Sequence, residues 1–267
     1  MILRHPRELK QGVSRSDAFE AIDERSGNVI GSCTIYVHKN AELFPNRPVR
    51  IYLEIEGDPA PDALLGAAVA RAKELATQFK APCRIFTQVD PDDEQRMDSL
   101  RILGFKDSDG LVCMRRELGN ESYGQLPISC VVVRDDLDDP IEQKYFLERY
   151  NQLFNEEYDF EWLADYRSKE EFERILIVAP TGMAGECITW VEKNAGRIGW
   201  IYTSRKWRGL GVTHSLLDIA CTCFKEIGLR RAEAEIQVRI PGMLHVLESS
   251  GFHQAELLQR YPGIDIG

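Results

Sequence analysis

The sequence lacks any apolar segment long enough to cross a membrane. Its 267 residues are 43% hydrophobic and 28% charged, fractions typical of a globular chain that can bury the core of one large domain or two ordinary ones. The first residues, Met1–Arg7, also lack the apolar core of a signal peptide. These absences argue against a membrane protein and predict a cytoplasmic location.

An excess of positive charge is missing too. The formal net charge is −10, whereas a nucleic-acid-binding protein needs Lys and Arg clustered over a broad face to neutralise phosphates. The acidic balance therefore predicts no nucleic-acid partner. It suits a cationic or amine-bearing small molecule better.

Cysteine pairing and metal-ligand spacing are absent as well. The seven cysteines are odd in number and most lie within apolar runs, which is typical of buried thiols in a reducing compartment. Cys221 and Cys223 flank one residue of a predicted helix and so point in different directions, which argues against a shared metal. No metal site is predicted, and no local signature indicates a Ser-His-Asp or Cys-His arrangement.

One basic stretch, Arg205–Leu217, stands out against this acidic background. A predicted strand, Ile198–Tyr202, precedes it, and a predicted helix, Ser215–Ile227, follows. Gly209 and Gly211 let the backbone approach an anion closely, and the helix N-terminus adds unpaired N–H groups and partial positive charge. The combination predicts a phosphate site. Three side chains add full positive charges: Arg205, Lys206 and Arg208.

The chain also repeats itself. Gly31–Ala41 and Gly185–Ala195 share Gly, Cys, Val, Lys, Asn and Ala at a constant offset of 154 residues. The correspondence continues to a similar ending, Leu100–Phe105 in the first half and Leu247–Phe252 in the second. Each half shows the order strand, strand, helix, strand, helix, strand, which predicts a tandem duplication of an α/β domain.

The junction between the halves is predicted within Glu117–Pro127, which is rich in turn formers, so that the domains are residues 1–120 and 121–267. The second half alone begins with an extra section, and the sheet of the first half is therefore expected to be incomplete. The section is predicted to contain, in order, a strand, a helix with its cap, an acidic aromatic segment, a short helix and a strand: Ile128–Val133, Asp139–Phe154, Asn155–Tyr166, Lys169–Arg174 and Ile175–Ala179.

The two copies of the basic turn differ in chemistry. Glu56–Pro61 of the first half aligns with Arg208–Thr213 of the second. In the first copy two prolines remove backbone donors that a phosphate needs, and Glu56 and Asp58 repel an anion. We therefore expect the second half to carry the activity and the first half to serve as a scaffold.

Arg208–Thr213, followed by Leu216-Leu217, resembles the acetyl-CoA pyrophosphate signature of the GNAT acetyltransferase superfamily, Arg/Gln-x-x-Gly-x-Gly/Ala leading into a helix. Val246–Phe252 resembles the helix of that superfamily that ends in Gly-Phe. The resemblance covers roughly Ser129–Tyr261, and the first half resembles a second, degenerate copy. It implies an α/β (α+β) fold of tandem GNAT-like domains, each a mixed, mostly antiparallel twisted sheet flanked by helices.

The resemblance implies an N-acetyltransferase that moves an acetyl group from acetyl-CoA to an amine acceptor, a small molecule. The sequence leaves open whether the protein forms a homodimer. The residues implied to hold acetyl-CoA lie on the strand before the turn, on the turn and at the start of the helix: Ile201, Tyr202, Thr203, Arg208, Gly209, Leu210, Gly211, Val212, Thr213 and His214. For His214, facing solvent is the alternative.

Acyl transfer needs a base, because a protonated amine with a pKa of about 10.4 is not a nucleophile. By resemblance to the Leu-Glu-Val-Arg strand of ribosomal-protein N-acetyltransferases, Glu235 is the implied base; the alternative is a solvent-facing glutamate that shares a face with Glu233. Glu192 is a weaker candidate, or a solvated hairpin residue. His245 is a candidate acid, or a histidine on a helix surface.

One departure from the superfamily pattern favours a second hypothesis, because Leu247 stands where a general-acid tyrosine often occurs. Thr213 stands where Gly or Ala is usual, which is tolerable but crowds the turn more. An acyl-CoA-binding or scaffolding protein without catalysis is therefore the alternative. An aromatic group is expected either to line an acceptor pocket or to build the core: Tyr145, Tyr150, Phe154, Tyr158, Phe160 and Trp162.

Overall fold

The computed structural model of the protein describes residues 1–57, 60–119, 126–127, 129–154 and 156–267. The chain divides into two compact units. The first unit contains Met1–Leu111 and Leu257–Gly267, and the second contains Val112–Glu256. Within the described residues, no helix is both long enough and apolar enough to cross a membrane.

Each half of the chain contains the predicted order strand, strand, helix, strand, helix, strand. The strands, in chain order, are β1 (Ile2–Arg4), β2 (Ala18–Ile22), β3 (Val29–Lys39), β4 (Val49–Glu56), β5 (Cys83–Thr87), β6 (Gly110–Glu117), β7 (Val131–Asp135), β8 (Glu173–Ala179), β9 (Gly182–Glu192), β10 (Ala195–Thr203), β11 (Arg231–Gln237), β12 (His253–Arg260) and β13 (Gly263–Ile266). The helices are α1 (Asp62–Thr77), α2 (Glu94–Ile102), α3 (Pro140–Phe154), α4 (Phe160–Arg167), α5 (Val212–Glu226) and α6 (Pro241–Ser249).

The first sheet has the strand order β1-β2-β3-β4-β5-β13. Strands β4 and β5 run parallel, and the other pairs are antiparallel. Its core lies between the sheet and α1, where Ile51 and Leu53 of β4 are buried together with Leu64, Ala68 and Ala72 of the helix. The helix residues recur at spacings of four, which places them on one face.

The second sheet has the order β12-β6-β11-β10-β9-β8-β7. Strands β10 and β11 are parallel, and β7 to β10 pair antiparallel. Because side chains alternate along a strand, β9 presents its two faces to different helices. Ile188 and Trp190 pack into a cluster with α3 and α4, whereas α5 lies against the face that contains Gly185. The predicted mixed, mostly antiparallel sheets flanked by helices are confirmed.

The glycine repeated in both halves has the same structural role in each. A Cβ on Gly185 would lie 2.8 Å from Val212 Cγ1 and 3.1 Å from Leu216 Cδ1, in the first turns of α5. A Cβ on Gly31 would lie 2.9 Å from Cδ of Pro61, at the start of α1. Each glycine therefore lets the first turn of a helix rest directly on the sheet.

Each sheet contains a strand from the other half of the chain. Strand β6, which ends the first repeat, lies in the second sheet, and β13, at the C-terminus, pairs with β5 in the first. The first sheet, which was expected to be incomplete, thus gains a strand. Most of the predicted junction, Glu117–Pro127, lies outside the described residues, so the division at residue 120 stays a prediction.

Hydrogen bonds and ion pairs of the buried Arg84 side chain anchor strand β13. The guanidinium of Arg84 donates to Asp265 Oδ1 at 2.8 Å and to the carbonyl of Tyr261 at 3.0 Å. It also lies 3.9 Å from Asp109, whose side chain is fully buried. Because Arg84 is itself buried, these contacts replace the water that both charges lose on folding.

Local predictions were mostly correct, with one clear error. Asp139 caps α3 by accepting from the amide of Ile141 at 2.8 Å, as predicted. The predicted helix at Lys169–Arg174 is wrong, because the helix lies earlier, at Phe160–Arg167. Its N-cap, Asp159, accepts from the amides of its first turn, and Glu173 already begins β8.

The strand predicted at Ile128–Val133 corresponds to β7, which ends at Asp135; Ile128 itself lies outside the described residues. The expectation of buried thiols is confirmed. The cysteines are free thiols, and all but Cys130 are buried. Burial raises the pKa of Cys33 to about 12, so it stays a neutral thiol.

Replacing Arg84 with methionine tests the anchor of β13. The change leaves Asp109 buried with less compensating charge, and we expect the free energy of unfolding to fall by about 3–5 kcal/mol. The matched control is Arg101→Met, because Arg101 makes ion pairs on an exposed helix surface. This substitution should shift the midpoint of urea denaturation little. Urea denaturation followed by circular dichroism measures both; equal shifts would contradict the proposed anchor.

Candidate active site

Strands β10 and β11 separate partway along their length. They pair in parallel at three positions, the last joining Ile198 to Ala234. Strand β10 continues to Thr203 paired with β9, and in the described part of the chain no pairing with β11 follows Ile198. Residues 199–203, which we call the open edge, therefore present backbone donors and acceptors that the sheet does not use.

The separation begins at a β-bulge. The register between β9 and β10 shifts between Ile198 and Trp200, so Gly199 is the extra residue. A Cβ there would collide with the ring of Trp190 and the hydroxyl of Tyr166. Glycine is thus required at the bulge, which bends β10 away from β11.

The open edge leads into the predicted phosphate turn. Gly209 and Gly211 have φ of 75° and 82°, and Gly211 is the N-cap of α5. The first backbone bond at this end of α5 is donated by the amide of Ser215 to the carbonyl of Gly211, at 3.0 Å. Among the described contacts, the amides of residues 212–214 donate no hydrogen bond, so they are the open donors of a helix N-terminus, the feature that binds anions. Strand, turn and helix are thus as predicted, although α5 begins at Val212 rather than Ser215.

The basic side chains around the turn have different roles. Lys206 is held by Thr181, whose carbonyl and hydroxyl accept from its ammonium at 3.1 and 3.0 Å. Arg208 Nε donates to the carbonyl of Thr203 at 3.3 Å, so its guanidinium lies beside the end of the open edge. Of these two cations, Arg208 is the one that the described contacts hold against the open edge.

Thr213, the last residue of the signature, contacts the strand before the turn. Its hydroxyl lies 2.9 Å from the hydroxyl of Thr203, joining the end of β10 to the first turn of α5. The threonine thus fixes the position of the turn against the strand.

The other predicted cofactor residues lie along the same path. Ile201 and Tyr202 are on the open edge, and the ring of Tyr202 stacks on Trp200 at 6.0 Å. Leu210 is exposed and Val212 is buried beneath the turn. His214 Nε2 lies 2.9 Å from Ser249 Oγ, so this histidine bridges α5 and α6.

The candidate base lies directly after the last paired position of β11. Glu235 is partly exposed and contacts the guanidinium of Arg197. Glu233, on the same face as predicted, is buried and accepts from Arg115 at 2.9 Å and from Arg197 at 2.8 Å. Glu192 also lies 3.4 Å from Arg197. One guanidinium thus faces three carboxylates at the point where the strands separate.

The candidate acid is placed less favourably. His245 is exposed on α6, and no contact among the described residues joins it to Glu235. Leu247, at the position of the missing tyrosine, is 1% exposed and belongs to the core. That position therefore offers no proton donor.

A cavity of about 340 Å³ opens beside the bulge. Gly199 and Glu235 line it, together with Tyr166, Lys169 and Trp190. Sequence reasoning missed Lys169, because a helix was predicted there. The only usable signal was Gly199, whose lack of a side chain makes room for the aromatic rings.

Two members of the aromatic group build the core, one of the two expected roles. Tyr150 and Trp162 pack against Trp200 and Phe146 in the core between α3, α4 and the sheet. Burial raises the pKa of Tyr150 to about 12. The remaining members keep a substantial part of their rings exposed: Tyr145, Phe154, Tyr158 and Phe160.

No family model matches the sequence, and no curated protein matches it. Solved structures do. A GCN5-related N-acetyltransferase from Sphaerobacter thermophilus is 16% identical with a TM-score of 0.52, over 96% of this chain and 82% of that one. One from Anabaena variabilis is 14% identical with a TM-score of 0.53, over 94% and 63%. A protein of unknown function from Enterococcus faecalis, described as a probable N-acyltransferase, is 8% identical with a TM-score of 0.54, over 92% and 61%.

These similarities show a shared fold. The chain has the fold of GCN5-related N-acetyltransferases, and it is similar to these structures over nearly its whole length. The fold implied by the glycine turn and the Gly-Phe helix is therefore confirmed.

The pH dependence of stability tests the charge cluster. Burial by itself would raise the pKa of Glu233, but the hydrogen bonds from Arg115 and Arg197 outweigh it and hold the pKa below its usual value. A lowered pKa stabilises the fold above the unfolded-state pKa, and this contribution is lost as the pH falls through the folded-state value. Glu233→Gln should therefore be less stable than the wild type at neutral pH, and the difference should shrink below about pH 4.5.

Thermal unfolding across this pH range measures the effect. Glu148→Gln is the matched control, since Glu148 lies on the exposed surface of α3 with Lys144 as an ion-pair partner 3.9 Å away. A Glu233→Gln difference that stayed constant down to pH 3 would show that the carboxylate charge is not what stabilises the cluster.

Proposed function

We propose that the protein is an N-acetyltransferase that moves an acetyl group from acetyl-CoA to the amine of a small molecule. The observation that carries the proposal is the open edge of β10, which leads without interruption into a glycine turn at the N-terminus of α5. A linear ligand with a phosphate group at one end fits such a surface. The fold shared with GCN5-related N-acetyltransferases supports the same activity.

The phosphate end of acetyl-CoA fits the turn. Gly209 and Gly211 allow close approach of the backbone, and the amides of Val212 to His214 point out of the helix N-terminus. Arg208 adds a full charge next to the strand end. In the first half, Pro61 caps α1 and Arg96 donates to the carbonyl of Gly57; Asp58 and Pro59 lie outside the described residues. The second half is therefore the proposed catalytic domain, and the first the scaffold.

The acyl arm fits the open edge. At about 3.3 Å per residue, residues 199–203 extend over roughly 13 Å from the turn to the bulge. Backbone groups of Ile201, Tyr202 and Thr203 can pair with the amides of the arm as a neighbouring strand would. An N–H of this edge can also stabilise the oxyanion that forms when the amine attacks the thioester.

Proton removal falls to a carboxylate near the bulge. Glu235 lines the cavity there and lies one residue past the last paired position of β11, so it is the proposed base, acting directly or through water. Glu192 lines the same cavity and is the second candidate. For the leaving thiolate, the candidate acid is His245 on α6, and its exposure allows a proton to come from water.

The second candidate function is binding of acyl-CoA without catalysis. The buried Leu247 favours it, because a leucine in the core cannot protonate a thiolate. Both functions share the phosphate turn and differ in turnover. An assay of thiol release from acetyl-CoA in the presence of a panel of small amines separates them. An enzyme releases free thiol faster than the same mixture without protein, whereas a binding protein does not.

The turn is tested by Arg208→Glu. Reversing this charge next to a bound pyrophosphate should weaken acetyl-CoA binding by about 10- to 100-fold in titration calorimetry. The matched control is Lys144→Glu, which makes the same charge change on the exposed surface of α3. Unchanged affinity in Arg208→Glu would remove the premise that both functions share.

The base is tested by Glu235→Gln. Loss of a general base should lower kcat by about a hundredfold or more and leave the affinity for acetyl-CoA unchanged. Glu192→Gln is the paired variant, since Glu192 lies in the same cavity and contacts the same arginine. A large loss in Glu192→Gln with normal Glu235→Gln turnover would transfer the role to Glu192.

A further inference from the structure

The cavity beside the bulge already contains an amine. The ammonium nitrogen of Lys169 lies 3.8 Å from the ring centroid of Tyr166 and 4.0 Å from that of Trp190. Trp190 is buried and Lys169 half-buried, so the side chain extends between two aromatic rings rather than into solvent. The rings and the nearby carboxylates attract its charge.

This amine lies at the inner end of the open edge. Lys169 and Gly199 line the same cavity, and Gly199 is the first residue after the last paired position. The glycine turn lies at the other end, after Thr203. A ligand that places its phosphates at the turn and its arm along the edge thus ends beside Lys169.

The surroundings of Lys169 favour nucleophilic chemistry. Burial lowers its pKa, against the opposing attraction of Glu192 and Asp165, so that more of the amine is neutral than for a lysine in water. Glu192 and Glu235 line the cavity and can accept a proton. The flanking rings of Tyr166 and Trp190 hold the side chain close to one place, which raises its effective concentration.

We propose that Lys169 is a self-acetylation site, at which the ε-amine accepts the acetyl group of acetyl-CoA bound along the open edge of the same chain. The inference rests on the proposed function. The ammonium first gives a proton to Glu235 or Glu192. The neutral nitrogen then attacks the thioester carbon, the C–N bond forms, the C–S bond breaks, and the nitrogen loses its second proton. The products are acetyl-Lys169 and the free thiol of CoA, with one proton released overall.

Acetylation changes the cavity that an external acceptor would enter. Among the described lining residues, Lys169 and Arg197 are the cations and Glu192 and Glu235 the carboxylates. Losing the lysine charge leaves the lining with a net negative charge, which favours a cationic acceptor.

The test is peptide mass spectrometry of the purified full chain after incubation with acetyl-CoA and no added amine. We expect Lys169 to gain an acetyl group at least about tenfold faster than Lys144, an exposed lysine that reports uncatalysed acetylation in the same molecule. The rate per molecule should not depend on protein concentration, because donor and acceptor lie in one chain. Without added amine, the wild type is expected to release one equivalent of thiol in a burst. Lys169→Arg, which keeps a cation between the rings, should abolish that burst.

Calorimetry on the same samples separates the two proposals. If acetyl-CoA binds but Lys169 reacts no faster than Lys144, the self-acetylation site is refuted and the proposed function is unaffected. A rate that rises in proportion to protein concentration would also refute it, because the acetyl group would then come from a second molecule. If acetyl-CoA does not bind, the proposed function fails and this inference fails with it.

Discussion

The site depends on the ion pair between Arg197 and Glu233 at the last rungs of a parallel strand pair. The two residues are register partners on β10 and β11, and their side chains meet at 2.8 Å, one position before pairing ends. A partly buried pair of this kind is costly to break, since it would leave a charge without its partner. It therefore holds the strands together up to the point at which the bulge at Gly199 separates them. The position of the open edge, and of any ligand along it, follows from that point.

Features encoded by local rules could be predicted from the sequence. Gly209 and Gly211 have the positive φ that a glycine turn implies, and the proline and aspartate at the start of α3 mark its first turn. The repeat was recognisable because Gly31 and Gly185 each lie beneath a helix, where any side chain would collide. The resemblance pointed to Glu235 as the candidate base, and the structure adds its contact with Arg197.

Features that depend on contacts between distant segments were not predictable. Nothing in the sequence around Gly110 or Gly263 indicates which sheet each strand joins, because register partners far apart in sequence leave no local pattern. The prediction of a helix at Lys169–Arg174 was wrong for a related reason. Its polar residues fit a helix, yet Asp159 and the aromatic packing of Trp162 and Tyr166 started one earlier. Because the helix ends at Arg167, Lys169 lies after it and lines the cavity, which the sequence did not predict.

The location of β13 has a consequence for biosynthesis. Strand β5 has its antiparallel neighbour only after Gly263–Ile266 has left the ribosome, since that segment completes the first sheet. Until then the nascent chain carries an unpaired strand edge, the feature that leads to intermolecular pairing. Arg84 also lacks its acceptors on Tyr261 and Asp265 until that segment has been synthesised. Translation that stops short of Gly263 thus yields a chain in which β5 lacks its antiparallel neighbour, and the edge of the first sheet stays available to other chains.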